Sequence, residues 1–185
     1  EELDKSGKAK AHYVKVDSKG RFDLNHLEEM LKSLEAPVMV SLMHANNEIG
    51  TMMDIDAVAD LCSRYNAILH TDTVQSMCHH WFDLQKTKVS MLQGSGHKFH
   101  GPKGAGFIYI SSRIKLHPLL YGGAQERNMR AGTENVYGII GLAKAMELAY
   151  EHFDENKNKI ESLRKYFMEQ LKENFPGLTF NGDYD

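Results

Sequence analysis

Four short, nearly unbroken apolar runs constrain this chain more than any other feature. They are VMVSLM (38–43), NAILHTD (66–72), VSMLQ (89–93) and GFIYI (106–110). Each is too short for a buried helix, and each is continuous where a half-exposed strand would alternate. That pattern belongs to strands buried on both faces, as in parallel sheets. A fifth candidate, AHYVKV (11–16), does alternate and reads as an ordinary strand.

Helical patterns separate the runs. In DLNHLEEMLKSLE (23–35), Leu24, Leu27, Met30, Leu31 and Leu34 form one stripe, Asp23 is placed to cap the first turn, and Pro37 follows the end. Asp54 is placed to cap a second helix whose inner face is Ile55, Val58, Ala59 and Cys62. Strands alternating with helices predict an α/β fold: a mostly parallel sheet with helices on both faces, in three α/β/α layers.

Beyond residue 133 the chain becomes helical. The segment 134–153 is apolar on most sides and is expected to be buried. The segment 154–174 carries Ile160, Leu163, Phe167 and Leu171 on one stripe and ends at Asn174, Pro176 and Gly177. A domain boundary is expected between the two, giving a large domain over 1–153. Residues 154–185 would then begin a smaller domain with one helix and a strand at LTF (178–180). The start at EELDKSGKAK, without an initiator methionine, and the end at NGDYD read as a piece of a longer protein.

The net charge of -3 gives no reason to expect nucleic acid or an anionic membrane as partner. The apolar runs are far too short to cross a bilayer, and no charged start leads into an apolar core. Two cysteines, Cys62 and Cys78, make no disulfide framework, which fits a reducing cytosol.

In open α/β sheets, ligands bind beyond the carboxyl ends of the strands. Four polar clusters fall there: HANNEIG (44–50), HTDTVQS (70–76), GSGHK (94–98) and YGGAQERNMRAGTEN (121–135). Lys98 stands directly after an apolar strand, among Ser95, Gly96 and His97. Most loop lysines are simply solvated. Partial burial would instead lower the lysine's pKa and give a neutral amine that attacks an aldehyde, while the small residues before it would let backbone N–H groups and the serine hydroxyl reach a phosphate. Pyridoxal phosphate needs both features, and a carboxylate facing its ring nitrogen. Asp72 ends an apolar strand, where an unpaired carboxylate is costly, and Gln75 lies three residues on. Thr133 stands at a helix start, as an N-cap or as part of an anion site.

Rival chemistries fit less well. The phosphate-loop pattern ending in Gly-Lys-Ser/Thr is absent, and no GxGxxG links a strand to a helix. His44, His70, His79, His80, His97 and His100 are numerous, but without HExxH or paired CxxC no metal is expected. His79 and His80, beside Trp81, read as surface or packing residues. His100 and Lys103 read as loop structure.

MHANNEIGT, HTDTVQ, GSGHKFHGPKG and GGAQERNMRAGTEN, in this order, together resemble the NifS/IscS-type cysteine desulfurases of the class V aminotransferase group. The resemblance implies the large domain, here incomplete, of a fold-type I pyridoxal phosphate enzyme acting as a homodimer. It implies Lys98 as the Schiff-base lysine and Asp72 as the partner of the pyridine nitrogen. Asn47 and Gln75 would lie near the ring's phenolic oxygen, and Ser95, Gly96 and His97 at the phosphate. Thr133 would reach the phosphate of the neighbouring subunit's cofactor.

The implied reaction takes sulfur from L-cysteine, leaving L-alanine and an enzyme persulfide, for iron–sulfur or thio-cofactor assembly through a sulfur-acceptor protein. Two other readings are a selenocysteine lyase of the same group and a catalytically incomplete fragment or scaffold. The family's upstream phosphate loop and ring-stacking histidine have no counterpart in these residues. Nor do its downstream acceptor cysteine and substrate-binding arginine. Cys62 and Cys78 match neither position and read as packing residues.

Overall fold

The structure is a computed structural model and describes residues 2–184. A helical turn, α1 (Glu2–Lys5), precedes α2 (Leu24–Ser33), β1 (Met39–Met43), α3 (Ile55–Arg64), β2 (Ile68–Asp72) and β3 (Met91–Ser95). A 3₁₀ turn (Gly96–Phe99) leads to β4 (Gly106–Ile110), a short turn, α4 (Gln125–Asn128), whose Glu126 and Arg127 are not right-handed helical, α5 (Val136–Glu151) and α6 (Phe153–Asn174). Among these residues no helix is long and apolar enough to cross a membrane.

The caps expected from sequence form. Asp23 accepts the N–H of His26, and Asp54 that of Ala57. Each satisfies a main-chain donor that the first helical turn leaves without a partner. Leu27 and Leu31 of α2, and Ile55, Val58, Ala59, Leu61 and Cys62 of α3, are buried.

The sheet runs β1-β2-β3-β4; the first three strands are parallel and β4 is antiparallel to β3. Only the 3₁₀ turn and a short loop join β3 to β4, too little chain for the crossover a parallel return needs. The α/β class is as expected. Val40, Leu69 and Leu92 point to one face and join a core that includes Val58, Leu61 and Phe99, with Leu142, Met146 and Tyr150 of α5 packed against it. On the other face Met39 is 57% and Ile108 53% exposed. The described helices thus supply one outer layer; the second layer expected from the apolar runs is not formed by these residues.

Three further expectations need correction. Residues 11–16 form no strand; they make a single bridge, Val16 to Phe22. The turn between is closed locally, with Asp17 Oδ1 accepting the N–H groups of Lys19 and Arg21 and Gly20 at φ +76°, so the segment folds on itself. LTF at 178–180 is likewise not a strand. Helix α5 is not buried all round: Tyr137 is 91% and Ile140 63% exposed, because only its core-facing side meets the sheet.

Candidate active site

The register sets Met43, Asp72 and Gln93 side by side at the carboxyl ends of β1, β2 and β3, with adjacent strands ~4.8 Å apart. Asp72 holds the middle of this row. By the alternation of the pleat its side chain belongs to the open face of the sheet. Its Oδ1 accepts the N–H of Val74 at 2.9 Å; Oδ2 has no partner among the described residues. A half-buried carboxylate with one oxygen committed and one free at a strand end can take a cationic N–H from a ligand.

Lys98 lies three residues beyond β3, in the 3₁₀ turn Gly96–Phe99. Its side chain is exposed, as is that of His97, while Phe99 between the turn and the core is buried. The apolar anchor fixes the turn and leaves the lysine outside, so the partial burial expected of Lys98 is not found among the described residues. Ser95 ends β3 at the head of the turn, and its hydroxyl makes no cap bond. The Gly96 N–H is committed to the carbonyl of Ala105 at 2.9 Å, so glycine serves close packing of the turn here. A Cβ would sit 3.2 Å from the carbonyl oxygens of Ala105 and Pro102 and 3.3 Å from Leu142 Cδ1.

Two loops flank this pair. After β1, Asn46 Oδ1 accepts the N–H groups of Glu48 and Ile49, leaving Asn47 on the exposed crest with its amide on Glu48 Oε1. After β2, Gln75 lies half-buried in a turn held by bonds from Ser76 and Met77 N–H to the Thr73 carbonyl. Thr133 is exposed and is not the cap of α5: Asn135 is, accepting the N–H of Gly138 at 3.1 Å. Both residue types cap well, and the helix begins two residues later than Thr133 would require.

Cys62 and Cys78 are buried and unpaired. Burial pushes both thiols up to about 11, where almost no reactive thiolate exists at neutral pH. His44, read among the possible metal ligands, is buried instead in a ring cluster, its centroid 4.7 Å from His80 and 5.1 Å from Phe82. No group of three or more metal-ligating side chains occurs among the described residues. Sequence reasoning missed one contact: His79 Nε2 lies 3.3 Å from the carbonyl oxygen of Lys98. Nothing in local sequence signals it, because nineteen positions separate the two.

The site is an open edge. Hollows of about 330 Å³ along α6 and about 320 Å³ between the sheet and α5 lie elsewhere and include neither Lys98 nor Asp72. The side chains present suit pyridoxal phosphate: an exposed amine for its aldehyde, a free carboxylate oxygen for its ring nitrogen, a free hydroxyl beside the amine, and amides on flanking loops.

A mostly parallel sheet with helices, and polar side chains gathered at the carboxyl ends of its strands, is the arrangement of α/β proteins that bind ligands at those ends. The class-V aminotransferase family model matches residues 1–185, and the chain belongs to that family. It is 41% identical over 170 residues to a cysteine desulfurase IscS of Dictyoglomus turgidum, covering 92% of this chain and 43% of that one. It is 43% identical over 181 residues to a cysteine desulfurase of Sinorhizobium fredii, covering 98% and 46%. A solved NifS-like protein from Rickettsia africae superposes with a TM-score of 0.84 at 31% identity, covering 91% of this chain and 49% of that structure. The chain spans less than half the length of the curated relatives it matches.

Proposed function

We propose that this chain is the cofactor-binding part of a pyridoxal phosphate-dependent cysteine desulfurase. The observation that carries the reading is the placement of Lys98 and Asp72 at the carboxyl ends of neighbouring parallel strands, with one Asp72 oxygen free. The cysteine desulfurases among the similar proteins support the substrate.

Lys98 Nζ would hold the cofactor and then move the substrate's α-proton. Asp72 Oδ2 would keep a proton on the ring nitrogen, and Asn47 and Gln75 would orient the ring. Ser95, Gly96 and His97 would receive the phosphate, with the Ser95 hydroxyl and the exposed His97 ring beside it. When bound, pyridoxal phosphate supplies an electron sink for negative charge on the substrate's α-carbon.

In the overall reaction the carbon–sulfur bond of L-cysteine breaks as a thiolate of the enzyme forms a sulfur–sulfur bond. The carbon takes up a proton to give L-alanine, and the persulfide passes to an acceptor protein for iron–sulfur or thio-cofactor assembly in the cytoplasm. Cys62 and Cys78, buried with thiols pushed up to about 11, are unsuited to that thiolate, which a residue outside this chain would supply.

A homodimer follows from the same reading. Leu119 (90% exposed), Tyr121 and Tyr137 lie in and after the loop that carries Thr133; covering them would bring Thr133 to the neighbouring subunit's cofactor phosphate. The large domain would run over 1–153 and the smaller one begin at 154.

The test is visible absorbance of the full-length protein with pyridoxal phosphate. The wild type should show a band that L-cysteine bleaches and Lys98→Ala lacks. A band unchanged in Lys98→Ala would end the assignment.

A further inference from the structure

Among the described residues, the carbonyl of Lys98 has no main-chain partner. In a 3₁₀ turn it would look to the N–H three residues on, at Gly101. That N–H goes instead to the carbonyl of Gly96 at 2.8 Å, which the His100 N–H also reaches. The next residue, Pro102, has no N–H to give. The carbonyl of Lys98 is thus left to water or to a side chain, and His79 reaches it through Nε2 at 3.3 Å. Because the acceptor is a carbonyl, Nε2 must carry the proton.

The loop that delivers His79 is itself fixed. It begins at Asp72 and passes Gln75. The N–H groups of His79 and His80 both bond to the carbonyl of Ser76, at 2.9 and 2.8 Å. Cys78 adopts the left-handed conformation, φ +65°, which turns the chain so that His79 leaves toward the lysine turn. His80 then packs edge-on against buried His44 and against Phe82, with centroids 4.7 and 4.9 Å away. One loop thus carries Asp72 at its start and grips the Lys98 turn near its end.

We propose that His79 is a positioning residue for Lys98: its Nε2–H holds the lysine's main-chain carbonyl and so fixes the direction in which the amine leaves the turn, relative to Asp72. This rests on the reading of Lys98 as the cofactor lysine and adds to it a residue outside the family motifs.

The test uses full-length protein, wild type beside His79→Ala, His79→Gln and Lys98→Ala, each titrated with pyridoxal phosphate by visible absorbance. Thermal midpoints control for folding. Losing a hydrogen bond of this kind should weaken cofactor binding roughly two- to tenfold in His79→Ala and shift its absorbance maximum, with an unchanged thermal midpoint. His79→Gln, which can still donate an N–H from the same distance along the side chain, should recover most of both. Binding and spectrum identical to wild type in His79→Ala would overturn the proposal. So would a loss that tracks the thermal midpoint and that glutamine fails to repair. A wild-type protein that takes up no pyridoxal phosphate, or a band retained in Lys98→Ala, would overturn the cofactor reading and the role of His79 with it.

Discussion

The main-chain carbonyl of Asp72 accepts the N–H of His44 at 2.9 Å. This bond extends the β1–β2 ladder one step past the strands, so the loop that carries Asn47 starts from the same fixed point as the candidate ring carboxylate. The carbonyl of His44 in turn accepts the N–H of Met53 at 2.9 Å, which closes that loop at its far end. The His44 ring lies below, 1% exposed, so the strand-end geometry rests on a buried imidazole.

Asp72→Asn separates the charge of this residue from its shape. Asparagine keeps an oxygen for the Val74 N–H, so the turn after β2 should persist and the circular dichroism spectrum should match the wild type. What is lost is the negative partner for a ring N–H. Turnover of L-cysteine by the full-length protein should fall by on the order of a hundredfold or more, as for other preorganised electrostatic contacts. A variant within a fewfold of wild type would remove Asp72 from the site.

His44 makes stability depend on pH. Burial, with a smaller contribution from His80, depresses it to about 4 from an ordinary 6.5, against the opposing pull of Asp56; its Nδ1 has no hydrogen-bond partner among the described residues. Between these values the unfolded chain binds the proton and the folded chain does not. Stability therefore falls as pH drops from 6.5 toward 4, by up to about 3 kcal/mol. His80 is lowered as well, chiefly by burial, and adds in the same direction. Urea midpoints measured across this range should decline with acid, and His44→Leu should flatten the decline without abolishing it. An equally steep decline in His44→Leu would place the effect elsewhere.

The helix cap and the anion residue should be separable, although both stand in one short stretch, TEN (133–135). Asn135→Ala removes the acceptor for the Gly138 N–H and should cost ~1 kcal/mol. Thr133→Ala should leave the thermal midpoint unchanged and weaken binding of pyridoxal phosphate by the full-length protein. The reverse pattern would make Thr133 structural.

That stretch also shows where sequence reading reached its limit. GFIYI located β4 to the residue through its β-branched and aromatic side chains, although the strand lies at the sheet edge and none of its residues is fully buried, against the expectation of a strand buried on both faces. The direction of β4 was not legible in the run itself, since it follows from the length of the connection after β3. Both Thr133 and Asn135 have capping side chains, and only the backbone path decides between them. AHYVKV alternates as a strand should, but the Asp17 turn competes locally and leaves Tyr13 and Val16 exposed. Lys98 and Asp72 were legible as neighbours because strand ends gather in a parallel sheet. The His79–Lys98 contact was not, because it joins two loops by their side-chain paths.

The cysteines should be unreactive in the folded chain. With both thiols pushed up to about 11 by burial, the thiolate fraction at pH 7 is on the order of one in ten thousand. An aromatic disulfide reagent should label neither Cys62 nor Cys78 until denaturant is added, and should then label both. Rapid labelling of either under native conditions would return it to candidacy as the sulfur acceptor.

The segment before Thr133 stores backbone strain. Glu126, Arg127 and Asn128 all have positive φ, at 48°, 56° and 64°, and a left-handed conformation costs a side-chain-bearing residue roughly 1–2 kcal/mol. Arg127 is exposed, so replacing it forfeits little packing. Arg127→Gly should relieve that strain, less the roughly 0.5–1 kcal/mol by which glycine favours the unfolded chain, for a net gain of ~1 kcal/mol. Chemical denaturation of the two proteins measures the difference directly. A loss of stability of that size would mean that the arginine side chain contributes more to the fold than its exposure implies.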